Sequence, residues 1–74
     1  MKKAYELREG EVIRFNFLGK GMITARVIGV EPYSTWTRLH LNRADKKDER
    51  RLNPSFYTWL NSNDLVEVIG NDLG

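Results

Sequence analysis

Apolar and polar residues alternate one by one along three segments of this chain, which is the pattern of half-buried β-strands. The segments are residues 12–17, 22–30 and 35–42. In the first of them, Ile13 and Phe15 share one side and a polar residue separates them. Because a strand turns successive side chains to opposite faces, the pattern predicts a sheet with one buried face and one exposed face.

Turn residues separate these predicted strands. Gly19 and Gly21 flank Lys20 between the first two strands, which predicts a hairpin connection. Gly29 lies late in the second strand, where the apolar positions change sides, and it predicts a β-bulge or a bend. Pro32 is expected to end that strand, because proline cannot donate a hydrogen bond to a neighbouring strand.

The C-terminal half of the chain predicts shorter elements after a charged loop. We expect a short strand at 50–53, one helical turn over 55–60 and a last strand at 65–69. Asn53 and Pro54 are residue types that cap a helix and occupy its first position. The predicted fold class is therefore mainly all-β, with five strands and one short helical turn before the last strand.

The length and composition restrict the function more than they define it. A chain of 74 residues is enough for one small domain, which we expect over 1–74 with a folded part at about 7–69 and a flexible tail at 70–74. Cysteine is absent, so no disulfide or thiolate metal site is expected. His40 is the one imidazole, and a zinc site or a catalytic triad could use no other. The sequence therefore predicts no enzyme, no metal and no cofactor.

The apolar stretches of the chain are short. They fall below the length of the apolar region of a signal peptide and of a membrane-spanning helix. The expected location is therefore the cytoplasm, with no membrane partner.

The order of the predicted elements resembles that of small SH3-like barrels, the architecture shared by KOW, Tudor and Sm-type modules. The resemblance is carried by the charged, glycine-containing entry to the first strand at 8–15, by the bend at Gly29 and by the single turn at 54–60 before the last strand. It implies a five-stranded barrel. Five short strands also agree with an OB-like barrel or an open sheet, and a fold alone implies no function.

The alternation sorts the side chains of the three long strands into two sets. The first set is apolar and is predicted to form the core: Ile13, Phe15, Phe17, Ile23, Ala25, Val27, Leu39 and Leu41. The second set is predicted to lie on the opposite face: Arg14, Asn16, Thr24, Arg26, Trp36, Arg38 and His40. Three arginines and one tryptophan on a single face are the most informative feature of the sequence.

Those residue types are typical of a surface that binds single-stranded nucleic acid. Arginine donates hydrogen bonds to phosphate, and an indole ring offers a base a stacking surface. Residues 43–51 hold five basic and three acidic side chains, while the other 65 residues hold seven of each, so the net charge of +2 lies in one segment. The candidate nucleic-acid-binding residues are Arg14, Arg26, Trp36, Arg38, His40, Lys46, Lys47, Arg50 and Arg51.

Two alternatives without a ligand remain beside this hypothesis. In the first, Trp36 packs beneath the predicted helical turn with Phe56 or Trp59, and the arginines only keep the protein soluble. In the second, the charged segment is simply a solvated loop, whose ion pairs contribute about 0–1 kcal/mol each.

A second candidate surface is aromatic. The rings of Tyr33, Tyr57 and Trp59 are expected near one another and are the candidate residues for binding a protein, because tyrosine and tryptophan are enriched at interaction hot spots. On a helical turn, Tyr57 would be the ring left most exposed.

We therefore expect a non-enzymatic small barrel with a regulatory role that binds nucleic acid. The alternative is a protein–protein interaction module that docks on a larger protein machine through its aromatic patch. An enzyme whose site is shared between copies of the chain is the least favoured option.

Overall fold

The structure is a computed structural model that describes residues 1–17, 19, 21–43 and 55–71. Within these ranges the chain forms strands and one 3₁₀ helix, Ala4–Glu6. The strands are β1 (Lys2–Lys3), β2 (Glu11–Asn16), β3 (Met22–Tyr33), β4 (Trp36–Arg43), β5 (Ser55–Asn61) and β6 (Leu65–Asn71). The predicted all-β class is confirmed, with six strands where the sequence predicted five.

The strands form one sheet in the order β1-β6-β2-β3-β4-β5, and each neighbouring pair is antiparallel. The ladders of the described strands do not close into a complete barrel. The N-terminal segment nevertheless reaches the turn between β5 and β6, where the backbone N–H of Ala4 donates to Asp64 at 2.8 Å and that of Tyr5 to Ser62 at 3.3 Å. The architecture is thus a small curled antiparallel sheet that is compatible with a barrel-like fold.

The glycines predicted to shape the sheet do so. Gly19 and Gly21 have φ angles of 71° and 118°, which glycine adopts without the steric cost that other residues incur. In the ladder between β3 and β4, Val27 lies opposite Leu41 but Gly29 lies opposite His40. One extra residue therefore stands in β3 at this point, and the predicted β-bulge is confirmed.

Pro32 does not end β3, which corrects the sequence-based prediction. The strand continues to Tyr33, and a two-residue turn joins it to Trp36 in β4. Pro32 lies opposite Thr37, in the pair next to Tyr33 and Trp36. Pairs of an antiparallel ladder alternate between hydrogen-bonded and non-hydrogen-bonded ones, and the pair of Pro32 and Thr37 is of the second kind. Since the described part of β2 pairs with β3 only over Met22–Arg26, the missing N–H removes no ladder bond there.

The predicted helical turn over 55–60 is also wrong, because this segment is strand β5. Its residues pair one by one with β4, from Ser55 opposite Asn42 to Asn61 opposite Trp36. Pairing satisfies the backbone groups of β5 that point toward β4, and alternate side chains turn outward. The predicted helix cap at 53–54 and the predicted strand at 50–53 lie outside the described residues.

The core consists of the side chains that the alternation predicted. Five of them are fully buried, and Phe15 is 7% exposed, while Phe17 and Ile23 are partly buried against the same cluster. The fully buried members are Ile13, Ala25, Val27, Leu39 and Leu41. The structure adds Ala4, Leu7 and Val66, so the N-terminal segment and β6 complete the core.

Buried polar side chains form two sets of contacts that fasten the sheet. The hydroxyls of Thr37 and Ser62 lie 2.8 Å apart and satisfy each other. The carboxylate of Glu11, 5% exposed, accepts a hydrogen bond from the backbone of Arg8 at 2.6 Å and lies 3.0 Å from Lys2 Nζ. Because a buried polar group without a partner is costly, both pairings favour this one arrangement of the chain.

Candidate functional site

The β-bulge at Gly29 decides which side chains share the outer face of the sheet. Val27 faces the core, and a regular strand would turn the residues at 29, 31 and 33 toward the core as well. The extra residue in β3 reverses this, so that Glu31 lies opposite Arg38 and Tyr33 opposite Trp36. An acidic and an aromatic side chain thereby join the outward residues of β4.

The third strand of this surface is β5. Arg38 has Glu31 opposite it on one side and Trp59 on the other. The next outward residue of β4, His40, has Tyr57 opposite it. We name this surface the aromatic face. It consists of Glu31, Tyr33, Trp36, Arg38, His40, Tyr57 and Trp59.

Four large rings of the aromatic face are about half exposed. The exposed fractions are 52% for Tyr33, 53% for Trp36, 54% for Tyr57 and 52% for Trp59. Aromatic side chains that face water together on one side of a small sheet are costly to leave uncovered, and such patches mark interaction sites. The face is therefore the candidate functional site.

The rings are arranged in a row of direct contacts. The His40 imidazole is stacked on Tyr57, with centroids 4.2 Å apart and planes 17° from parallel. The Arg38 guanidinium carbon lies 4.7 Å from the Tyr57 centroid and 5.7 Å from that of Trp59. Trp59 in turn lies 5.7 Å from Tyr33. Gly29 lies opposite His40, and a Cβ at position 29 would stand 3.4 Å from that of His40, an ordinary van der Waals contact.

Glu31 holds Arg38 in this row. Arg38 Nη2 donates to both carboxylate oxygens, at 2.8 and 2.6 Å, and the Tyr33 hydroxyl donates to one of them at 2.6 Å. Arg38 Nε is buried and has no hydrogen-bond partner among the described residues. A neighbouring carboxylate thus neutralises the guanidinium, which also lies over two aromatic rings. The ring faces of tyrosine and tryptophan attract a cation in this position.

The same contacts shift three titrations. The hydrogen bonds from Arg38 and then Tyr33 lower the pKa of the Glu31 carboxyl below its ordinary value of 4.5. The hydrogen bond to Glu31 raises the pKa of the Tyr33 phenol and also the pKa of the Arg38 guanidinium. All three groups therefore keep their charge states, anion, neutral phenol and cation, around neutral pH.

We expect acid to weaken the fold partly through Glu31. A carboxyl whose pKa is lower in the folded chain stabilises it above the unfolded-state value, here 4.5, and this contribution is lost as the pH falls through the folded-state value. Glu31→Gln should therefore lose less melting temperature than the wild type between about pH 6 and about pH 3. Glu9→Gln, which removes an exposed carboxylate elsewhere, should keep the wild-type slope. Equal slopes for all three proteins would contradict the contribution of Glu31.

The predicted cationic residues do not all lie together. Arg14 and Arg26 point to the same side of the sheet as the aromatic face. In the ladder of β2 and β3, Arg14 pairs with Thr24 and Arg26 pairs with Val12. Arg26 precedes Glu31 by five residues, which is roughly 13–17 Å along a strand. The outer side therefore has an arginine half and an aromatic half. The four basic residues of the connection between β4 and β5, Lys46, Lys47, Arg50 and Arg51, lie outside the described residues.

The aromatic half brings Trp36, Arg38 and His40 of the predicted nucleic-acid set together with the whole predicted protein-binding set, Tyr33, Tyr57 and Trp59. Trp36 is exposed and has no ring contact within the described ranges, so the alternative in which it packs beneath a helical turn is wrong. Phe56 points inward instead, with its ring 5.1 Å from that of Phe17. Glu31 was not predicted from the sequence, although Gly29 carried the signal, because a bulge there moves every later side chain of β3 to the other face.

Other kinds of site find no support in the described residues. They contain no group of three or more histidine, cysteine, aspartate or glutamate side chains placed to hold a metal ion. Nor do they form a helix long and apolar enough to cross a membrane. No protein-family model matches the chain, and neither does a curated protein or a solved structure.

Proposed function

We propose that this protein is a non-enzymatic binding domain that takes single-stranded nucleic acid on its aromatic face. Unpaired bases stack on the exposed rings, and the strand continues toward the arginine half and the basic connection between β4 and β5. The proposal includes an SH3-like barrel as the fold and a regulatory role for the domain, which binds a strand without altering it.

The observation that carries the proposal is the exposure of four large rings on one face of a three-stranded platform. A base stacked on an aromatic side chain contributes about 1–3 kcal/mol, and every base has the π face that this requires. Trp36 is the ring best placed for this, because it is half exposed and the described residues make no ring contact with it.

A duplex is a poorer ligand for such a surface. Its bases are already stacked on one another, and reaching a ring requires unpairing them. The surface therefore predicts a preference for unpaired strands over duplexes of the same sequence.

Protein binding is the second candidate, and the ion pair of Glu31 with Arg38 favours it. This pair leaves the centre of the aromatic face neutral. Neutral surfaces rich in tyrosine and tryptophan are also typical of hot spots between proteins.

The two candidates differ in their response to salt and to ligand type. Fluorescence anisotropy of a labelled 12-nucleotide oligothymidine, its duplex and an unrelated control peptide would be measured over a range of sodium chloride concentrations. The proposal expects the single strand to bind more tightly than the duplex, with affinity falling as salt rises because counterions are released. Failure to bind any strand at low salt would refute it and leave the protein-binding candidate.

The intrinsic fluorescence of the protein supplies a direct readout. The chain has two tryptophans, Trp36 and Trp59, and both belong to the aromatic face. A stacked base should quench their emission at the concentrations at which anisotropy rises. Trp36→Phe and Trp59→Phe each leave one tryptophan and locate the quenching on one ring or the other.

A further inference from the structure

Glu31 stands in an unusual place for a surface that binds a polyanion. Its carboxylate lies on the aromatic face itself, 2.6 Å from Arg38 Nη2. An anion placed beside phosphate-binding groups repels phosphate, so its presence requires a reason.

We propose that Glu31 is a selectivity residue, which keeps Arg38 from acting as a phosphate ligand so that the aromatic face binds bases by stacking. This inference rests on the proposed function and specifies its mode. The ligand class is an unpaired base, and the phosphates are contacted outside the centre of the face.

The geometry around Arg38 supports this role. One guanidinium nitrogen is committed to both oxygens of Glu31, and Nε is buried without a partner in the described part of the chain. A phosphate that approached Arg38 would have to compete with a carboxylate already in hydrogen-bond contact. The guanidinium carbon lies within 6 Å of two ring centroids, where it packs as a flat surface beside Tyr57 and Trp59.

Tyr33 strengthens the arrangement from the other side. Its hydroxyl donates to Glu31 Oε2 at 2.6 Å, while its ring lies beside Trp59. The carboxylate is therefore held by two donors from two strands, and rotation away from Arg38 would break both sets of bonds. The acidic side chain is a fixed part of the face.

The test compares Glu31→Gln with Glu9→Gln, which makes the same change in net charge in the turn before β2. Both are titrated with the 12-nucleotide oligothymidine and with an abasic strand of equal length, which carries the phosphates without the bases. If Glu31→Gln releases Arg38 for one phosphate, the slope of log affinity against log salt should steepen by about 0.7, the value for one contact on a single strand. Over a fourfold rise in salt this is an additional loss of about 2.5-fold in affinity relative to Glu9→Gln.

The double variant Glu31→Gln/Arg38→Gln shows whether Arg38 is the cation released. Its slope should return to that of the wild type. Circular dichroism and melting temperature of each variant establish that the proteins compared are folded.

The outcomes separate the inference from the proposed function. If the wild type binds oligothymidine but Glu31→Gln has the same slope as Glu9→Gln, the inference is overturned and the proposed function stands. If the wild type binds no single strand, yet Glu31→Gln binds the abasic strand more tightly than Glu9→Gln, the proposed function fails and the screening of Arg38 by Glu31 stands. If neither variant gains affinity for the abasic strand and the wild type binds no strand, both are overturned.

Discussion

Replacement of Trp36 by alanine is expected to weaken the binding of single-stranded nucleic acid by about 5- to 140-fold, which corresponds to about 1–3 kcal/mol for one stacked base. The ring is half exposed at the end of the β3–β4 hairpin, where it contributes a stacking surface and little to the core. Its loss from the cross-strand pair with Tyr33 should cost no more than about 1 kcal/mol of the free energy of unfolding. Oligothymidine titrations and urea denaturation measure the two effects separately.

Tyr5→Ala is the matched control for this variant. Tyr5 is 46% exposed, but it belongs to the 3₁₀ helix and not to the aromatic face. Its replacement should leave the affinity for the strand close to that of the wild type. If the two variants bind equally well, Trp36 is not a stacking residue, and the role of the face must be sought with a protein ligand.

Replacement of Leu39 by alanine should have the largest effect on stability. Leu39 lies in the middle of β4 and is fully buried. Leucine-to-alanine changes in a core cost about 2–5 kcal/mol, because apolar surface is lost and the cavity collapses only in part. Proteins of this size have unfolding free energies of about 4–11 kcal/mol, so this variant should lose a large share of its stability.

Leu65→Ala provides the same chemical change at a surface position. Leu65 is 61% exposed in β6, and we expect its replacement to change the unfolding free energy by less than about 0.5 kcal/mol. Urea denaturation followed by far-ultraviolet circular dichroism compares the two variants. Similar midpoints for both would mean that the core is not centred on β4.

The confirmed part of the sequence-based prediction depends on local geometry. A strand places alternate side chains on opposite faces, so the apolar positions from Ile13 to Leu41 identify the core without any knowledge of strand order. The two glycine-dependent features, the hairpin after β2 and the bulge in β3, were also predictable, because they follow from the backbone conformations that glycine permits.

The erroneous part concerns segments whose conformation depends on a partner strand. Residues 55–60 follow an Asn-Pro pair that suggests a helix start, yet the segment is rich in residues that suit strands, with Phe56, Tyr57 and Thr58 in succession. Pairing with β4 decides between the two, and one sequence read locally does not contain that pairing. Pairing with β4 leaves Trp59, one of the candidate protein-binding residues, 52% exposed.

Glu31 illustrates the same division at the candidate site. The sequence contained the glycine that permits a bulge. It did not specify which residues of β3 after the bulge would pair with which residues of β4. Only the register of β3 against β4 brings the carboxylate to Arg38 and so neutralises the guanidinium, which was predicted to bind phosphate.

The sequence by itself determined the all-β class, the buried side of β2, β3 and β4, and the outward direction of Trp36, Arg38 and His40, because period-two alternation is a property of each strand alone. The tertiary structure alone decided that residues 55–61 form a strand beside β4 and that Glu31 lies on the same face as Arg38. Those placements depend on hydrogen bonds between strands and on one extra residue in the ladder, and both act across the sheet rather than along the chain.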